Sequence, residues 1–66
     1  MGKVYLIHDD DDWEERHWIV ATCSTREKAV AYIEEYYPGY IYEDKYDRWE
    51  APNESGYIWI EEMKVH

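Results

Sequence analysis

Between its first two histidines the chain reads HDDDDWEERH: four aspartates, Asp9, Asp10, Asp11 and Asp12, then Trp13, then Glu14, Glu15 and Arg16 before His17. So many carboxylates in one run invite three kinds of chemistry. The first is calcium binding, since hard cations want several carboxylate oxygens at close range. An EF-hand loop needs glycine at its sixth position and glutamate at its twelfth. Counting from Asp9, those places hold Glu14 and Val20, and counting from Asp10 they hold Glu15 and Ala21, so the register fails both ways. The second is zinc, with His8 and His17 joined by Asp9 or Glu15. Two histidines at the ends of paired strands need no metal to account for them, and no metal site is expected.

The third is recognition of a basic protein surface. Carboxylates spaced along a loop and a sheet edge can imitate DNA phosphates, which fall at about one charge per 1.7 Å of helix axis. They would pair with Arg and Lys of the partner while an indole fills a pocket. A tryptophan planted among acids suits that role better than it suits a purely solvating loop. The candidate contacts are Asp9, Asp10, Asp11, Asp12, Trp13, Glu14 and Glu15, joined from the segment YIYEDKYDRWE by Glu43, Asp44, Tyr46, Asp47 and Trp49. The plainer reading is that the charge only confers solubility and that Trp13 folds back over the hairpin.

Catalysis finds little support. The nucleophile would be Cys23 or Ser24, but Cys23 stands where it would pack before a helix and Ser24 where it would cap one. The glycines at 2, 39 and 56 are scattered, so no phosphate-cradling loop exists. Neither an enzyme nor a cofactor is expected.

Composition agrees. With 16 acidic against 7 basic residues in 66, the net charge of −9 repels nucleic acid and anionic membrane and favours a basic partner. A disordered acidic tail would be poor in aromatics, whereas this chain has eight Tyr and four Trp and should fold. It contains no Phe, so every aromatic carries a polar tip suited to half-wet positions. A lone cysteine, Cys23, forms no intrachain disulfide and fits a reducing, cytoplasmic setting. The opening apolar stretch is too short for a signal peptide or a membrane span.

The elements that must position these residues follow from periodicity. Lys3 to His8 alternates as a strand, with Val4, Leu6 and His8 on one side and Tyr5 and Ile7 on the other. Arg16 to Thr22 alternates too. A hairpin around the acidic loop would pair Leu6 with Ile19, Val4 with Ala21 and His8 with His17, so that apolar meets apolar. Ser24 and Glu27 form a capping box for a helix from about Thr25 to Tyr37, whose buried stripe is Ala29, Val30, Ile33, Tyr36 and Tyr37. Pro38-Gly39 ends it. Tyr40 to Glu50 mixes strand formers with charge and reads as an exposed edge or an ordered loop. Residues 51 to 56 form a connection. Tyr57 to Val65 is the last strand, with a bulge expected at Glu61-Glu62.

The order β-β-α-(β)-β predicts a single α+β domain over residues 1–66. It would be a two-layer sandwich, with one helix packed on a three- or four-stranded, mainly antiparallel sheet.

Three stretches carry a likeness: KVYLI near the start, HWIVATCSTREKAVAYIEE in the middle and YIWIEEMKV at the end. Together they resemble a family of very small uncharacterised phage and bacterial proteins that share a second strand running into a "ySSxEKAexyI" helix. Cys23 to Ala29 carries that helix start here. The shared motifs are a cap and a core stripe, so the resemblance implies a fold and no catalytic residue. The four aspartates and the Tyr-rich segment depart from it.

These observations predict a small acidic, non-enzymatic binding protein, and the resemblance implies one of phage type in the bacterial cytoplasm. It would occupy the basic surface of a nucleic-acid-handling or defence protein of the host, inhibiting or modulating it as a DNA mimic or anti-defence factor. The alternative is an assembly module, in which Tyr and Trp join copies of the chain into a homo-oligomer or attach it to a larger complex.

Overall fold

The computed structural model describes residues 2–11, 16–53 and 55–65. They form β1 (Gly2–Asp11), β2 (Arg16–Cys23), α1 (Arg26–Tyr36), β3 (Ile41–Glu43), β4 (Arg48–Glu50) and β5 (Gly56–Val65). The strands make one antiparallel sheet in the order β2-β1-β5-β4-β3. The sheet therefore has five strands rather than three or four. The segment left open by its mixed composition folds as a hairpin, β3 and β4, whose turn bonds through Tyr46 N–H to the Glu43 carbonyl.

The helix packs against one face, over β2, β1 and β5. Alternation supplies the apolar side of that contact. Ile7 of β1 and Ile58 of β5 are fully buried, together with Ala29 and Ile33 of α1, and Trp49 of β4 closes the cluster. Each buried isoleucine contributes about 1.5–3 kcal/mol by leaving water. Tyr36, expected in the stripe, is 60% exposed, because the helix presents Ala29 and Ile33 to the sheet and Tyr36 is turned away.

The cap also differs from expectation. Thr25, not Ser24, is the N-cap, and its hydroxyl accepts from the Lys28 amide at 3.1 Å. Glu27 is thus one position too early to close the box. Ser24 instead accepts from the Lys28 ammonium group at 3.2 Å.

The hairpin register is corrected in three ways. First, β1 continues through Asp9, Asp10 and Asp11, so these aspartates belong to a strand and not to a loop. Second, the pairs are Leu6 with Thr22, Ile7 with Ala21, His8 with Ile19 and Asp10 with His17. Third, the irregularity lies here, where Val20 has no counterpart between the pairs Ile7–Ala21 and His8–Ile19. Along β5, Glu61 and Glu62 keep an unbroken register with Leu6 and Tyr5, so the bulge expected there is absent. Because strand side chains alternate, the extra residue reverses which face every residue before it occupies. Without it His17 would oppose Asp11 on the helix side; with it His17 opposes Asp10 on the other side.

Gly56 begins β5 opposite Asp11 of β1. A Cβ there would run into the Asp10 carbonyl oxygen, so only glycine fits.

Candidate functional site

The face opposite the helix, which no element of the described residues covers, carries most of the unusual chemistry. Cross-strand pairing arranges it in rows. One row runs Ile19, His8, Trp59, Arg48 and Glu43 across all five strands; its neighbour runs His17, Asp10, Tyr57, Glu50 and Ile41. Residues paired in this way share a face, so the sheet aligns rings and charges that lie far apart in the chain.

His8 sits at the centre, only 5% exposed. Its ring lies nearly parallel to the Trp59 indole, 11° apart with centroids at 4.0 Å. Its Nε2 lies 2.8 Å from Glu61 Oε1, and its Nδ1 lies 2.7 Å from Nε2 of His17. Ring centroids of the two histidines are 4.9 Å apart and their planes differ by 9°, so they meet edge to edge. That contact is a hydrogen bond, too short to hold a metal between the rings, and no cluster of three or more His, Cys, Asp or Glu placed to hold a metal ion occurs among the described residues. The Trp59 Nε1–H donates to Asp10 Oδ2 at 2.6 Å, which orients both the indole and the carboxylate.

On the far side of Trp59, the Arg48 guanidinium lies against Tyr46 and Tyr57, 4.6 and 4.3 Å from their ring centroids, and donates to Glu50 at 2.9 Å. The charge-assisted bond to Glu50, more than any other contact, stabilises its charged form. Asp10, His17, Tyr46, Asp47, Tyr57 and Trp59 line a groove of about 570 Å³ beside it. That volume lies within the range of small binding clefts, roughly 300–1,000 Å³.

Three of the expected contact residues therefore meet: Asp10, Tyr46 and Asp47. Asp47 takes the left-handed backbone conformation, φ 51°, and its carboxylate accepts from Tyr42 at 2.7 Å and Arg26 at 2.8 Å. The Tyr42 hydroxyl first, then Arg26, holds its carboxyl below the usual range. Glu43 is half-buried opposite Arg48, and Asp44 is exposed in the turn.

The rest divide. Asp9 and Asp11 point to the helix side, where burial first, then Asp11 and Asp10, push the Asp9 carboxyl up. The same neighbourhood raises Tyr37 and Tyr40, by burial and then by the Asp9 charge. Trp49, expected at the partner surface, is only 7% exposed and belongs to the core, since its pairing with Ile58 turns it under the helix. Asp12, Trp13, Glu14 and Glu15 lie outside the described residues.

Tyr57, Trp59, Glu61 and Arg48 were not among the expected contacts. The alternation of YIWIE carries a signal for the first three, since Tyr57, Trp59 and Glu61 fall at every second position. Nothing local marks Arg48, whose place depends on β4 pairing with β5.

No helix among the described residues is long and apolar enough to cross a membrane. No family model matches the chain, and neither does any curated protein or solved structure.

Proposed function

We propose that this chain is a small acidic, non-enzymatic binding protein whose partner presents a basic surface. In this reading it works as a two-layer sandwich: the helix side holds the fold together and the open side meets the partner. The observation that carries it is the groove in which Asp10 and Asp47 stand beside Tyr46, Tyr57 and Trp59 in a chain of net charge −9. Carboxylates beside aromatic rings suit Arg and Lys side chains, by ion pairing and by cation–π contact. Arg48, held against Tyr46 and Tyr57, illustrates how this face receives a guanidinium group.

Strand geometry sharpens the form of recognition. Asp9 and Asp11 face one way and Asp10 the other, with about 6.8 Å between like-facing neighbours. Of the three, only Asp10 lies on the open face, which favours discrete carboxylate and ring contacts over imitation of a continuous phosphate row. A nucleic-acid-binding or defence protein of a bacterial host remains a fitting target, since such proteins expose basic surfaces. The cytoplasm is where the chain would meet it.

Affinity capture from bacterial lysate over a salt series tests the proposal. Captured proteins should be basic, should elute as salt rises, and should be lost with the double variant Asp10→Asn/Tyr46→Ala. Capture of acidic proteins alone, or capture indifferent to salt and to the variant, would overturn it.

A further inference from the structure

Glu61, His8 and His17 form a continuous hydrogen-bonded chain across β5, β1 and β2, and the chemistry of its atoms limits how many protons it can hold. An ionised carboxylate only accepts, so the hydrogen on the 2.8 Å contact belongs to His8 Nε2. A neutral His8 then has a bare Nδ1, and the hydrogen on the 2.7 Å contact belongs to His17 Nε2. One nitrogen, His17 Nδ1, is left to take a further proton. Adding it makes an imidazolium but leaves a single hydrogen between the rings, so the bond persists. A second added proton places hydrogens on both facing nitrogens, which cannot remain 2.7 Å apart and pointing at each other.

We propose that this chain is a proton latch across the open face, closed in its resting state and with one added proton, and opened by a second. His17 is the part that moves. His8 is wedged by Trp59 and Glu61 and is buried, and Trp59 is itself tied to Asp10, whereas His17 is exposed on the edge strand. The charged groups around the pair are compatible with one added proton. Glu61 of β5 contacts His8 directly, and Asp10 of β1 lies opposite His17. Arg48 of β4 is bonded to Glu50, and Asp47 of the β3–β4 turn to Arg26. The helix packs on the other face, and its Arg26 is taken up by Asp47.

Opening would alter the groove, since His17 lines it. A freed imidazolium beside Asp10 reduces the local negative charge, so affinity for a basic partner should fall on acidification. That consequence rests on the proposed function, whereas the latch is a property of the free chain.

Long-range proton–nitrogen correlation spectra of the imidazoles, recorded through a pH titration of the whole protein, test it. Near neutral pH both rings should carry hydrogen on Nε2. On acidification they should take up protons one after the other rather than independently, because the shared hydrogen bond couples them. The contact between the rings should survive the first step and vanish at the second. In His17→Gln, with the fold checked by the amide spectrum, the two-step pattern at His8 should collapse to one step. A single-step His8 curve that His17→Gln leaves unchanged overturns the latch. Two steps in a chain that captures no basic protein would overturn the proposed function alone.

Discussion

The two faces of the sheet solve different problems with the same strands. On the helix side, Ile7, Ile58, Ile33 and Ala29 exclude water, and stability there grows with apolar area. On the open side, His8, Trp59, Asp10 and Arg48 are held by directional contacts, each bond or ring stack depending on the next. A hydrogen bond that competes with water returns only about 0.5–1.5 kcal/mol net. The open face can thus be altered at modest cost, and the covered face cannot. A surface that must meet a partner and a core that must hold a 66-residue chain together are kept apart by the alternation of side chains.

Substitutions can break or sharpen this contrast. Ile58→Ala, a deletion under the helix, should cost about 2–4 kcal/mol, read as a lower denaturation midpoint with unchanged denaturant slope. If it cost no more than the open-face change described next, the division between faces would fail. Trp59→Phe keeps a ring beside His8 but removes the donor to Asp10. Its expected cost is about 1 kcal/mol by chemical denaturation, with a larger effect on partner capture than Ile58→Ala has among folded molecules.

The helix that separates the faces offers a third comparison. Thr25→Ala should destabilise by about 1 kcal/mol and Ser24→Ala by less than about half that, since only Thr25 caps the backbone. Equal losses in thermal melts would point back to the Ser24 cap.

Asp9 gives the smallest effect and the opposite sign. Burial beside Tyr37 and Tyr40 raises its folded pKa above the unfolded value, so its contribution to stability is present at low pH and is lost as pH rises through the folded value. At neutral pH the charged form therefore weighs against folding. Asp9→Asn should raise Tm at pH 7, and the gain should close as pH falls through the folded pKa. A constant gain at all pH values would assign it to something other than charge.

Much of the frame was legible in the residues. Alternation located β1, β2 and β5, and the spacing of Ala29, Val30 and Ile33 located the helix, because those periods are properties of the backbone itself. The β3–β4 hairpin was not legible: each strand has three residues, too few for a period to stand out, and β4 gains its partners from β5. Of the candidate site, Asp10, Tyr46 and Asp47 share a groove, whereas Trp49 went to the core. An indole has the same composition in either place, and only its pairing with Ile58 decides which. Ser24 and Thr25 offered the same kind of hydroxyl one residue apart, a difference smaller than the resolution of any pattern.

What the sequence by itself determined is the acidity, the aromatic inventory without Phe, the alternating strands and the capped helix, all of which follow from residue type and local spacing. What only the tertiary structure decided is which of these meet. His8 and His17 touch because Val20 is unpaired: one extra residue in β2 turns His17 from the helix face to the open face, beside Asp10 and within reach of His8. A strand's period of two makes every side chain's destination depend on register, and register is set by the contacts of the whole sheet rather than by any stretch of it.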